Sequence, residues 1–252
     1  ATLYLALTEK SNSVMAIFKA VQKVKDSQKQ DVPAHLRDAN RDKEAFGDGV
    51  GYRYPHAFLK NSHMMTIAGG VLSRPSMLFN ELAREEWIEV DRDTSIKLEV
   101  NEQYEFSSPV LVLVHGLSGS SQSPYMLGVA QKAWLQNWHV IRLNIRNCGG
   151  SETNTPTLYH AAMTDDLEAT LNWALSHFSS SPIAIAGFSL GGAIAVHTVS
   201  KFADKIHKNL KAMVTVSTPY NLMATSNRMH RGFMNRIYMK RFLSGFIRSM
   251  RR

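Results

Sequence analysis

A serine set among glycines on a strand-to-helix turn constrains this 252-residue chain more than any other feature. Gly187-Phe188-Ser189-Leu190-Gly191-Gly192 follows Pro182-Ile183-Ala184-Ile185-Ala186, an apolar run suited to a buried strand, and leads into Ala193-Ile194-Ala195-Val196, the start of a helix that reaches Phe202. A turn this sharp holds its serine in strained backbone geometry, so only small neighbours fit beside it. It lifts the hydroxyl clear of the sheet and aims the helix N-terminus at a point where negative charge develops during acyl transfer. Ser189 is therefore the candidate nucleophile.

A second motif sits where such a serine needs it. Val110 to Val114 is a continuous apolar run, the mark of a strand buried on both faces, and His115-Gly116-Leu117-Ser118-Gly119 follows at once. A glycine-rich turn at the end of a buried strand exposes backbone N–H groups. The expected donors to an oxyanion are the N–H of Leu190, next to the serine, and that of Leu117. Each donor in such a hole is worth roughly 10²–10³ in rate.

Around these motifs the pattern alternates in type. Strands are expected at 86–90, 95–100, 110–114, 139–143 and 212–217, besides the one before Ser189, and helices at 126–134 and 164–178. Buried strands alternating with helices predict an α/β architecture, a mostly parallel central sheet with helices on both faces. Residues 51–220 form the expected core. Residues 1–50 read as a peripheral helix and linker, and 221–252 as a basic segment, either the start of a cap or a tail.

A hydrophobic content of 44% suffices for one sizeable core, and the single cysteine, Cys148, excludes an intrachain disulfide. That fits a reducing compartment, and the expected location is cytoplasmic or membrane-associated. No run approaches the ~18 apolar residues of a membrane span. No histidine or carboxylate set has metal-ligand spacing, so neither metal nor cofactor is expected, and no nucleic-acid partner is expected either. The net charge of +8 resides in the tail, because Arg228, Arg231, Arg236, Lys240, Arg241, Arg248, Arg251 and Arg252 have no acidic residue among them. Such a stretch could touch an anionic membrane surface; the plainer and preferred reading is a solvated face whose acidic partners lie elsewhere.

The motifs and their order resemble the YheT-like hydrolases and their eukaryotic relatives of the ABHD1/ABHD3 type. The resemblance runs from Pro55-His56-Ala57-Phe58-Leu59-Lys60-Asn61 through His115-Gly116-Leu117, Ser121 to Tyr125, Leu143-Asn144-Ile145-Arg146-Asn147-Cys148-Gly149-Gly150, Leu158-Tyr159-His160 and Thr164 to Leu167, to the turn at Ser189. Asn147 departs from it, standing where that family usually has glycine. The resemblance implies the α/β-hydrolase fold and a serine hydrolase acting on acyl or lipid esters, with Ser189 as nucleophile of a Ser-Asp-His triad.

The acid and base of that triad have no evident counterpart. In this fold they follow the serine in chain order, where only Asp204, His197, His207 and His230 stand. His197 lies eight residues along the helix, roughly 12 Å from its start. His115 reads as an anchor of its own loop, while His160, Asp165 and Asp166 read as a brace and cap for the following helix. Cys148 reads as a buried structural residue. The expectation is a chain truncated before two further strands that would carry the acid and base; the alternative is a catalytically incomplete pseudo-hydrolase or a lipid- or acyl-binding module.

Overall fold

The computed structural model describes residues 78–201 and 208–250. The expected peripheral segment at 1–50, the segment at 55–67, Asp204 and His207 lie outside the described residues.

Continuous apolar runs become the middle of a sheet. Strand β3 (Val110–Val114) lies between β4 (His139–Leu143) and β5 (Ile183–Phe188) and is parallel to both, with Val114 opposite Leu143 on one side and Gly187 on the other. A strand β6 (Leu210–Val216) continues parallel beside β5. On the other side, β1 (Arg84–Asp91) and β2 (Thr94–Asn101) form an antiparallel hairpin, and β2 pairs antiparallel with β4. The hairpin turn is the expected Asp91-Arg92-Asp93, held by the Asp91 carboxylate accepting the N–H of Asp93 at 3.0 Å. The order across the sheet is β1-β2-β4-β3-β5-β6.

The period-two alternation of β3 sorts its residues between two layers. Val110, Val112 and Val114 pack with Leu167 and Ala174 of helix α3 (Asp165–His177) and with Ile194 and Ala195 of α4 (Leu190–Lys201). On the opposite face, Leu113 packs with Met126 and Ala130 of α2 (Pro124–Trp134), which starts on a proline suited to the first helical turn. A four-residue helical turn, α1 (Leu78–Glu81), precedes β1. The architecture is the expected α/β one. The elbow strand runs two residues further than its apolar stretch, to Phe188, because Gly187 and Phe188 still pair with β6.

After β6 the character changes. Helix α5 (Leu222–Met229) is capped by the Asn221 side chain, which accepts the N–H of Ala224 at 2.8 Å. Gly232, at φ 88°, breaks the chain before α6 (Phe233–Met250). No residue of β6 or α5 is buried among the described residues.

Candidate active site

Between β5 and α4 the backbone turns within one residue. Ser189 carries that turn at φ 51°, a left-handed conformation that side-chain-bearing residues seldom adopt. Its N–H bonds to the Val216 carbonyl at 2.8 Å, which ties the elbow to the end of β6. The crowding predicted from the glycines is real. A Cβ on Gly187 would stand 2.6 Å from the Gly191 carbonyl oxygen, and one on Gly191 would collide with the carbonyls of Val114 and His115. This close approach brings the first turn of α4 against the end of β3. Ser189 is exposed, as the nucleophile reading requires.

The loop after β3 meets the elbow directly. A Cβ on Gly116 would lie 3.2 Å from the Ser189 Cβ. Three of the loop's N–H groups have intramolecular acceptors. Gly116 donates to the Tyr125 hydroxyl at 3.0 Å, Ser118 to the Tyr159 hydroxyl at 2.9 Å, and Gly119 to the Gly116 carbonyl at 3.0 Å. The N–H groups of Leu117 and Leu190 have no acceptor among the described residues. The tyrosines' part was not read from the sequence. Both stand in the motifs Ser121 to Tyr125 and Leu158-Tyr159-His160, but neither motif says which distant N–H its phenol meets.

Beneath this loop His115 is fully buried. Its Nδ1 donates to the Gly116 carbonyl at 2.8 Å, and its Nε2 accepts the N–H of Ile145 at 3.1 Å. A carbonyl only accepts, so the proton sits on Nδ1 and the ring is neutral. Burial pulls its pKa down to about 4. With both nitrogens engaged, His115 holds the loop against β4. Asn144 and Arg142 grip the loop's far end. Asn144 Oδ1 accepts the N–H of Ser121 at 2.8 Å, and Arg142 donates to the Ser121 carbonyl at 3.2 Å and to Asn80 at 2.7 Å.

The turn after β4 is braced by a buried ion pair. Arg146 Nη2 lies 2.6 Å from Asp166 Oδ1, and Asp166 Oδ2 accepts the Arg146 N–H at 2.9 Å. Asp166 thus braces as expected but does not cap α3. Thr164 holds the cap position, but its hydroxyl makes no capping bond; it accepts from Lys201 at 2.9 Å and donates to Asp165 at 3.3 Å, while the buried Arg146 guanidinium holds the Asp166 carboxylate. Asn147 stands at φ 61°, where asparagine is the residue best able to replace glycine, and its side-chain amide donates to Thr155 and Thr157. Burial raises the Cys148 thiol to about 12, so no thiolate forms near neutral pH.

None of the remaining candidates hydrogen-bonds Ser189 among the described residues. His197 is exposed on α4, His160 is exposed before α3, and His230 is exposed at the end of α5, its Nδ1 against the Ser226 carbonyl at 2.8 Å. Among the described residues, Ser189 Oγ has no hydrogen bond to a histidine or carboxylate, and no cluster suited to a metal ion occurs.

Compared with known proteins, residues 109–246 match the family described as alpha/beta hydrolase fold, and residues 1–80 match the one described as MgsA AAA+ ATPase C terminal. The second match extends past the expected boundary at residue 50 and takes in the segment at 55–67. The chain is 34% identical over 136 residues to the putative esterase YheT of Escherichia coli, covering 54% of this chain and 39% of that protein. It is 30% identical over 123 residues to mouse phospholipase ABHD3, covering 49% and 29%. An abhydrolase domain-containing protein of Dictyostelium discoideum is 27% identical over 210 residues, covering 81% of this chain and 51% of its own. The chain thus spans about half or less of the length of these relatives. Among solved structures, the esterase Pf2001 of Pyrococcus furiosus superposes with a TM-score of 0.53 at 19% identity, over 65% of this chain and 62% of its own, a likeness of fold. Strand order, elbow and the match over more than half its residues agree: the chain belongs to the α/β-hydrolase fold family, and within it is similar to the YheT and ABHD3 proteins.

Proposed function

We propose that the chain is a serine hydrolase of carboxylic esters, acyl or lipid, in which Ser189 is the nucleophile and the N–H groups of Leu117 and Leu190 receive the oxyanion. The observation that carries the reading is the exposed Ser189 at φ 51°, beside two N–H groups without an intramolecular acceptor. In the reaction Ser189 Oγ bonds to the ester carbonyl carbon while its proton passes to a general base. The carbonyl oxygen becomes negative facing the two N–H groups, and the leaving alkoxide departs with a proton as the acyl-enzyme forms. Water then attacks the acyl-enzyme, releasing the carboxylic acid and restoring the Ser189 hydroxyl. The base is not assigned to any described histidine, since His115 is locked in its loop and none of His160, His197 and His230 hydrogen-bonds Ser189.

The second reading, a binding module without turnover, draws on the lack of a base bonded to Ser189 among the described residues. A fluorophosphonate probe separates the two. Covalent labelling of the folded chain, lost in Ser189→Ala, is the expected result. Absence of labelling in a chain with a cooperative melting transition overturns the catalytic reading for these residues.

A further inference from the structure

Helix α6 presents two different faces. Its inner side is half-buried at Asn235, Tyr238, Met239 and Gly245, and a Cβ on Gly245 would stand 3.0 Å from the Ser118 hydroxyl, so the helix rests on the loop that abuts Ser189. Its outer side carries large apolar residues on one arc of the helix, with Phe233 78%, Ile237 46%, Leu243 52% and Ile247 41% exposed. Arg236 and Lys240 stand among these apolar residues and Arg241 at their edge, all three exposed, and none of them pairs with a carboxylate among the described residues. No acidic residue occurs anywhere from Lys205 to Arg252, so the acidic partners expected of a solvated basic helix are not supplied by this segment. Aqueous solvent suits the cations but not the large apolar side chains between them. An anionic bilayer surface suits both, because the apolar residues enter the headgroup boundary while the cations meet lipid phosphates. No helix among the described residues is long and apolar enough to cross a membrane, so the geometry is that of a helix lying on the surface.

We propose that the outer face of α6 is a docking surface for an anionic lipid bilayer, which seats the loop at Ser118 and the neighbouring Ser189 beside the membrane. The purpose of that placement rests on the reading of Ser189 as a nucleophile, whereas the binding itself does not.

Flotation of the 252-residue chain with vesicles tests this. The chain floats with vesicles of phosphatidylcholine and phosphatidylglycerol in equal parts, does not float with phosphatidylcholine alone, and is partly released by added salt. The triple variant Arg236→Gln, Lys240→Gln, Arg241→Gln binds about 100-fold more weakly, at roughly fivefold per charge. Phe233→Ser with Ile237→Ser weakens binding of the same vesicles as well. All five positions are exposed, and an unchanged circular dichroism spectrum and melting curve show the fold retained. Ser189→Ala floats like the wild type, so loss of probe labelling with flotation retained removes the hydrolase reading and leaves this one. Equal binding to both vesicle types, no binding to either, a concentration-dependent dimer in place of binding, or undiminished flotation of the triple variant overturns the proposal. If the variants do not fold, the lipid and salt dependence of the wild type decides by the same criteria.

Discussion

The phenol oxygen of Tyr159 accepts the backbone N–H of Ser118 at 2.9 Å, joining positions 41 residues apart in the chain. Tyr125 does the same for Gly116 at 3.0 Å, so two tyrosines occupy the N–H groups on either side of Leu117. A loop pinned at both neighbours presents the Leu117 N–H in one direction. Preorganisation of this kind is what an oxyanion donor requires, because no reorientation is then needed as charge develops.

Removing one pin tests the idea. In Tyr159→Phe the ring's packing stays while the acceptor is lost, and the freed Ser118 N–H, lying in an exposed residue, can turn to water. Stability falls by about 1 kcal/mol, read from the urea midpoint. The fluorophosphonate labelling rate falls roughly tenfold, because a small misplacement of the donor is costly in the transition state. A rate unchanged from wild type separates the loop's position from the chemistry at Ser189.

Close approach at the elbow has its own signature. Gly191→Ala forces a methyl into the carbonyls of Val114 and His115, which are backbone atoms of a buried strand end and cannot swing away. The expected loss is about 3 kcal/mol or more. Gly232→Ala is the contrast. Nothing lies within 4 Å of its Cβ, so only the cost of φ 88° applies, about 1 kcal/mol. Melting curves of the two variants should separate clearly. Similar losses would show that α4 can shift away from β3.

Features encoded by neighbouring residues were legible in the sequence. The apolar runs of β3 and β5, the glycines at 187 and 191, and the alternation of strands and helices carry their meaning within a few positions. Contacts made across the fold were not. Tyr125 and Tyr159 looked like motif residues without a task, since the N–H groups they accept lie 9 and 41 residues away. Asp166 looked like a helix cap, because nothing local shows that Arg146 will be buried beside it and claim its carboxylate. Asn147 looked like a departure from the family pattern until its φ of 61° showed the turn kept its left-handed residue.

The Arg146–Asp166 pair is expected to dominate the stability of the turn after β4. Asp166→Ala leaves a guanidinium that is only 6% exposed without its carboxylate and an N–H without its acceptor, a loss of about 3–5 kcal/mol. Asp166→Asn keeps an oxygen for the Arg146 N–H and loses less. Denaturant titration of the two variants gives the order, and an Asp166→Ala loss below about 1 kcal/mol would mean that water reaches the arginine.

Burial governs Cys148 as well. With the thiol raised to about 12 and enclosed, iodoacetamide at neutral pH should leave the folded chain unmodified and label it fully in denaturant. Mass spectrometry of the intact chain reads this directly. Rapid alkylation of the native protein would return Cys148 to consideration as a reactive group.

His115 sets an acid limit on the fold. Its pKa falls from 6.5 in the unfolded chain to about 4 in the folded one, because burial disfavours the imidazolium, outweighing the opposing effect of its bond to Gly116. Between those values the unfolded chain binds more protons than the folded one, so stability rises with pH and declines as pH falls. The stabilisation is present in full above pH 6.5, drains away through the window, and is gone below about pH 4. The amount at stake is about 3 kcal/mol. Urea midpoints measured across this range should fall with acidity in the wild type. His115→Gln, which cannot gain a proton there, should start less stable at neutral pH and show a flatter profile over the same window. Parallel slopes for the two proteins would assign the acid sensitivity to other groups and leave His115 with a purely geometric role, holding the Gly116 carbonyl and the Ile145 N–H in place.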